Sequence, residues 1–258
     1  MDKWIGRVAM VTGASRGIGA SITKLLVELG MIVIGVARDI SDLEVTSVEY
    51  KANGLTGNLV PMKCDISQPE KINALLNQIR ADPDLEGVDV LINNAAIAYA
   101  EPLLNGNPDA WGTMIRTNFL GPTILAQEVY KSMKEREIDD GYIIFINSLS
   151  GHRLIPGNKD LHMYCATKFA LRAIVEGFRL ELRQVDSHIR VSSISPGVVE
   201  TDIFKKLFDN DEDKTKKFLS ERKYLEADDV ASMIVTLLSQ PMHVQVHDIL
   251  LRSTEQIP

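Results

Sequence analysis

Tyr164 and Lys168 stand four residues apart in Tyr164-Cys165-Ala166-Thr167-Lys168, and Ser148 closes an apolar run sixteen residues earlier. A phenol, an ammonium and a hydroxyl in that order can form a proton-transfer site. An unperturbed Tyr has a pKa of about 10, so only about 0.1% is phenolate near neutrality. On a helix, a Lys one turn away shares the face of the Tyr and favours the phenolate by direct charge attraction. Tyr and Lys at this spacing also occur by chance on many solvated helices. The pair gains meaning only from the elements around it.

Those elements are short apolar runs alternating with amphipathic stretches. Residues 8–11, 32–34, 88–92, 142–146 and 189–194 read as buried strands, with 59–62 and 248–251 as weaker ones. Helical patterns occupy 18–29, 69–80, 111–136 and 162–184. Continuously apolar strands separated by helices imply an α/β fold, a parallel sheet covered on both faces. Right-handed crossovers make that sheet doubly wound, and ligands then bind beyond the carboxyl ends of its strands. Every motif that looks chemical follows such an end.

The bulk properties narrow the setting. At 258 residues the chain fits one domain spanning 1–258, which should bury roughly three quarters of its unfolded surface. A net charge of -7 argues against a nucleic-acid partner. Cys64 and Cys165 are too few for a disulfide framework, and a reducing compartment is the default. No stretch approaches the roughly 18 apolar residues of a membrane span, and the N-terminus lacks a signal-peptide pattern. A soluble, cytoplasmic protein with a small-molecule partner is expected. One composition shift interrupts the pattern at 205–223, where mixed charge is interspersed with Leu207 and Phe218 and flanked by Phe204. It reads equally as a solvated helix pair or, within 198–226, as a lid over the substrate.

The nucleotide end follows the first strand. Thr12-Gly13-Ala14-Ser15-Arg16-Gly17-Ile18-Gly19 opens the first helix, and its glycines let the backbone approach a pyrophosphate at the helix N-terminus. The spacing is GxxxGxG rather than the generic GxGxxG. The second strand should end near Gly35-Val36-Ala37-Arg38-Asp39. An acid there would hold a ribose 2′-hydroxyl, whereas an Arg accommodates a 2′-phosphate. Ala37 leaves no acid at the first position, Arg38 follows, and Arg16 could add a second cation. NADP is favoured over NAD, with the reservation that Asp39 could pair with Arg38.

The glycine loop, Asn93-Asn94-Ala95, Ser148, Tyr164-x-x-x-Lys168 and Pro196-Gly197, in chain order, resemble the short-chain dehydrogenase/reductase family over essentially the whole chain. Finer stretches such as Met1-Asp2-Lys3-Trp4, Ser150-Gly151-His152-Arg153 and Ser253-Thr254-Glu255-Gln256 resemble a branch holding insect NADP-dependent farnesol dehydrogenases and a vertebrate steroid or dicarbonyl reductase. The resemblance implies a Rossmann-type seven-stranded sheet and NADP(H)-dependent interconversion of an apolar alcohol with its carbonyl. It also implies a homodimer or homotetramer and no metal. By position, Asn118, Ser148, Tyr164 and Lys168 match the catalytic set, with Tyr164 as general acid/base. Asp65 matches the acid at the adenine amino group, with Ile66 beside it. Asn94 and Ala95 match the ribose segment, and Pro196, Gly197, Val199 and Thr201 the strip along nicotinamide and pyrophosphate.

Two departures stand out. Ala96 occupies the place where the family writes a glycine, and residues 154–159 lengthen the stretch between Ser148 and Tyr164 into a loop expected to shape the substrate mouth. Ser148, Tyr164, Leu154, Ile155 and Phe204 are the expected substrate contacts, with Tyr99, Met163, Leu207 and Phe208 as further candidates. His152 and His162 read as supporting or surface residues rather than ligands. Cys165, inside the motif but off the Tyr164–Lys168 face, reads as packing.

Overall fold

The computed structural model describes residues 1–155, 158–201, 203, 207, 211–220 and 222–256. Seven strands lie in the order β3-β2-β1-β4-β5-β6-β7, and every pairing is parallel. They are β1 (Val8–Thr12), β2 (Ile32–Ala37), β3 (Asn58–Lys63), β4 (Val90–Asn93), β5 (Tyr142–Ile146), β6 (Arg190–Pro196) and β7 (Asp248–Leu251). Residues of β1, β4, β5 and β6 are buried throughout, because helices cover both faces. The doubly wound α/β sheet expected from the apolar runs is thus present.

On one face α1 (Gly17–Glu28) packs on the helix Ala227–Leu238, here α8, around Ile22, Leu26, Val230 and Ile234. Trp4 fills the end of this layer, fully buried, and its Nε1 donates to Leu238 O at 2.9 Å. On the other face α3 (Pro69–Ala81) packs on α5 (Gly121–Glu135), and α6 (His162–Gln184) covers β5 and β6 through Leu171, Val175 and Leu182. A short helix α2 (Ser41–Ala52) follows β2, and α7 (Glu212–Ser220) lies in the mixed-charge segment.

The long helix read over 111–136 is present and helical throughout, but not α-helical throughout. It starts earlier, as α4 (Pro108–Ile115), where Asn107 Oδ1 accepts from Asp109 N at 2.9 Å and Pro108 occupies the first turn. A π turn, Arg116–Leu120, then separates α4 from α5. Such an inserted residue interrupts the regular ladder and is frequent at functional sites. Gly121, just after it, lies against the carbonyl of Ile66, where a Cβ would come within 2.2 Å of that oxygen.

The amino end of the sheet is fastened by ion pairs. Asp89 accepts from Arg7 Nε at 3.2 Å and Arg136 Nη1 at 3.0 Å, and Arg7 Nη1 reaches Asp140 at 2.5 Å. The pairs are partly buried, so each charge has a partner where hydration is incomplete. All of this lies away from the carboxyl edge, which is left open for chemistry. Trp4→Ala should lower the unfolding free energy by about 3–5 kcal/mol in urea titrations, since it removes a fully buried ring together with its hydrogen bond. A loss under about 1 kcal/mol would show that the N-terminal segment is not part of the core.

Candidate active site

The turn after β1 shows why its glycines are needed. Gly13 and Gly17 have φ of +67° and +52°, and a Cβ on Gly19 would come within 2.1 Å of Gly13 O. Thr12 and Asn94 hold this turn against β4. Thr12 Oγ1 accepts from Asn94 N and Ala95 N, both at 3.0 Å, and Asn94 Nδ2 donates to Thr12 O at 2.8 Å. Asn94 therefore spends its side chain on the backbone of the glycine turn. No side chain caps α1, so the amides of its first turn are left for an outside acceptor. That arrangement fits an anionic pyrophosphate.

Asn118 lies in the π turn, 1% exposed, with every side-chain bond satisfied locally. Its Oδ1 accepts from Ile97 N and its Nδ2 donates to Ile97 O, both at 2.8 Å. Nδ2 also donates to Thr167 Oγ1 at 3.2 Å, and that hydroxyl donates to Tyr164 O at 2.7 Å. One amide thus fixes the loop after β4 to the first turns of α6. Ser148 follows β5 and caps a short 3-10 turn (Leu149–Gly151), its Oγ accepting from Ser150 N at 3.1 Å. The same hydroxyl is hydrogen-bonded to the Tyr164 phenol. One oxygen thus serves both the cap and the contact with the phenol.

Lys168 is 2% exposed, and its Nζ donates to Ile146 O at 2.8 Å. The ammonium lies 5.8 Å from the centre of the Tyr164 ring. Burial pushes Lys168 down to about 7. Burial likewise pushes Tyr164 up to about 12, opposed by the hydrogen bond from Ser148. With the chain's own groups, loss of hydration dominates at both residues, and both are neutral between about pH 7 and 12.

Ser148, Tyr164 and Lys168 open onto one cleft of about 780 Å³, whereas the expected catalytic Asn118 is buried and does not line it. Its nucleotide end is lined by Gly13, Ser15, Arg16, Gly17 and Ile18, with Arg38 and Asp39 beyond β2. Asn94, Ala95, Pro196, Gly197, Val199 and Thr201 line the middle, and Ser148, Tyr164, Lys168 and Ile155 the far end. Asp39 Oδ1 accepts from Ser41 N and Oγ, at 3.1 and 2.8 Å, rather than pairing with Arg38. Ala96 also lines the cleft and is absent from the residues with positive φ, so the alanine carries no left-handed strain there.

Other expected residues fall outside the lining. Asp65 accepts from Ser67 N and Oγ at 3.0 and 2.7 Å, ahead of α3, and Ile66 is buried against α5. Gly19 is buried under the turn, and Leu154 is 54% exposed on the outer side of its loop. Tyr99 and Met163 do not line the cleft, whereas Leu207 does. Phe204 and Phe208 lie outside the described residues. Arg153 and Leu161 line the cleft without having been anticipated, as does Asn147, whose buried side-chain amide has no hydrogen-bond partner, while Asn158 belongs to the expected mouth loop and Ile203 and Tyr224 to the expected lid segment. Their signal was positional at best, since each belongs to a loop next to a strand end.

His152 and Cys165 make structural contacts. His152 Nε2 lies 2.9 Å from Asp248 Oδ2 and 3.1 Å from Ser195 Oγ, tying the turn after Ser148 to β6 and β7. Cys165 is fully buried, and burial raises its thiol. Among the described residues no group of three or more His, Cys, Asp or Glu could hold a metal, and no helix is long and apolar enough to cross a membrane.

A cleft at the carboxyl edge of this doubly wound sheet, with a phenol–lysine pair at one end and an uncapped helix at the other, is the architecture of Rossmann-type oxidoreductases. The chain belongs to the short chain dehydrogenase family, which it matches over residues 7–212. It is 47% identical over 257 residues to dehydrogenase/reductase SDR family member 11 of Gallus gallus, covering 100% of both chains. It is 37% identical to farnesol dehydrogenase of Aedes aegypti, covering 98% of each. The closed form of a serine dehydrogenase complexed with NADP+ superposes with a TM-score of 0.87 at 28% identity, covering 97% of this chain and 96% of that one. An alcohol dehydrogenase from Thermococcus sibiricus complexed with 5-hydroxy-NADP gives 0.81 at 28%, covering 98% of each.

Lys168 supplies a pH signature. Its folded pKa of about 7 lies below its ordinary 10.5, so between those values the unfolded chain binds the extra proton. Stability of the ligand-free protein should therefore rise from about pH 7 to about pH 10, by up to about 1.4 kcal/mol per unit. Tyr164 acts with the opposite sign: its contribution is intact below about pH 10 and is lost as pH rises toward 12. Urea unfolding across that range should show a rise that Lys168→Met flattens. Parallel profiles for wild type and variant would contradict the buried, readily deprotonated amine.

Proposed function

We propose that the protein is an NADP(H)-dependent oxidoreductase that interconverts an apolar alcohol, of the farnesol type, with its carbonyl. The observation that carries the reading is the sharing of one cleft by the glycine turn and by Ser148, Tyr164 and Lys168. Preference for the 2′-phosphate is supported by Arg38 directly after β2, by Ala37 in place of an acid, and by the commitment of Asp39 to Ser41. Arg16 is beside the same end, 3.7 Å from Asp42. The farnesol dehydrogenase relative and the NADP-bound neighbours point the same way.

Bound nicotinamide would supply or accept the hydride. Gly13, Gly17 and the amides of α1 would hold its pyrophosphate, with Val199 and Thr201 farther along the cleft. By position in the family, Asp65 would face the adenine. Ser148 donates to the substrate oxygen and orients it. Tyr164, neutral at pH 7, gives its proton to the developing alkoxide in the reductive direction. Oxidation needs the phenolate instead. Bringing a group from about 12 to about 7 requires about 7 kcal/mol of preferential stabilisation. Asn118 positions the loop after β4, and its backbone within the π turn is the expected holder of a relay water beside Lys168.

The segment 198–226 contributes Ile203, Leu207, Phe218, Arg222 and Tyr224 to the cleft wall, which supports its reading as a substrate lid. On α6, Ala166, Phe169 and Ala173 face outward, and Gly177 has open space beside it. That small-residue face supports a homodimer or homotetramer built across α6.

Farnesol, a ketosteroid and a vicinal dicarbonyl offered with NADP(H) form the decisive panel. We expect turnover of farnesol and at least a hundredfold loss in Tyr164→Phe with nucleotide binding retained, in keeping with the roughly 10²–10⁴-fold contribution of a general acid/base. Reaction confined to the steroid or dicarbonyl would shift the assignment to a carbonyl reductase, and undiminished turnover in Tyr164→Phe would remove the acid/base role. Arg38→Ala should weaken NADPH about tenfold and NADH by no more than about twofold, as loss of one charge-assisted contact predicts. Similar wild-type affinities for the two nucleotides would overturn the NADP preference.

A further inference from the structure

The far end of the cleft carries a charge that an apolar alcohol does not need. Arg153 lines it, half-buried, five residues after Ser148, and its Nε is shielded from water without a hydrogen-bond partner. Its backbone amide donates to Leu149 O at 3.3 Å, which anchors the residue to the turn that Ser148 caps. The buried Nε holds the guanidinium in place while the side chain as a whole lines the cleft, where it can meet an anionic group of a ligand.

The distribution of charge says what kind of acceptor. Among the described lining residues the only carboxylates are Asp39 and Asp42, both next to β2 at the nucleotide end. The other charged lining residues are cationic: Arg16, Arg38, Arg153, Lys168 and Arg222. Ala98, Leu161, Ile155, Ile203 and Leu207 form an apolar cluster with Tyr164 that also lines the cleft. A planar guanidinium matches a carboxylate in a bidentate fork, and among the described lining residues no acid stands at this end to compete for it.

We infer that this end of the cleft binds a carboxylate on Arg153, so that the reacting alcohol or carbonyl is carried by an apolar acid. The inference rests on the dehydrogenase reading above and narrows its substrate class. The carboxylate takes no part in bond changes. A bound nicotinamide would supply or accept the hydride at the carbinol carbon, Tyr164 carries the proton, and the acid group serves only to set the distance between Arg153 and the reacting carbon.

Two measurements on the full chain separate this inference from its foundation. Calorimetry with NADP+ present compares decanoate with decanamide, which share a chain and differ in charge. Decanoate should bind more tightly to the wild type, Arg153→Met should weaken it about ten- to hundredfold, and Arg153→Lys should fall between, while decanamide changes far less. Equal affinities in the wild type, or equal losses for both ligands, would overturn the carboxylate subsite. Kinetics then compare a long-chain oxo acid with its methyl ester. The acid-to-ester ratio of kcat/KM should fall by a similar factor in Arg153→Met. Turnover of both with an unchanged ratio would sink the subsite and leave the dehydrogenase standing. Selective decanoate binding without turnover of any alcohol or carbonyl would do the reverse.

Discussion

Lys168 brings its amine into the interior with one carbonyl, that of Ile146, as its hydrogen-bond partner. Loss of hydration there is large enough to bring its pKa to about 7, and no nearby carboxylate offsets it. Such a placement survives only because the surrounding structure overdetermines it. β5 presents Ile146 O at its carboxyl end, α6 points the side chain inward, and Leu171 and Val175 hold that helix on the sheet. The ion pairs of Asp89 at the opposite end, the filled layer around Trp4 and the bonds of Asn118 all stabilise a frame in which one lysine is held at a thermodynamic loss. Stability is taken from the core and used at the site, as strained functional positions generally require.

The same constraint explains the odd helix between β4 and β5. A regular ladder from Pro108 to Glu135 would leave no mismatch at Asn118. The π turn provides one, and the Asn118 amide closes it onto Ile97 and Thr167. Tyr164 is thereby fixed through its own carbonyl as well as through its ring, by way of the Thr167 hydroxyl. The polar bonds are local, but they join the loop after β4 to the start of α6, far apart in sequence.

Much of this was legible from residues alone. The strands announced themselves because parallel β-structure is buried on both faces and reads as unbroken apolar runs. Gly13, Gly17, Ser148, Tyr164 and Lys168 were identifiable because each sits where a strand end must place it. What escaped notice escaped for physical reasons. α2 buries only Leu43 and Ser47, too thin a stripe to show as periodicity. The break at residues 116–120 follows from a hydrogen-bond register that composition does not encode. The opposite shifts of Tyr164 and Lys168 depend on how deeply both are enclosed, which spacing cannot report. Arg153 looked like one more charge in a loop until its Nε proved to be shut away from water.

Gln256 makes the cleft depend on the last strand of the sheet. Its Oε1 accepts from Val198 N at 2.9 Å, and it occupies the room above Gly197 where any Cβ would collide with it. It also lines the cleft, directly after β7 has completed the sheet. The strip after β6 is thus supported from beyond β7, so unfastening that end of the sheet would loosen the strip while leaving the glycine turn after β1 in place.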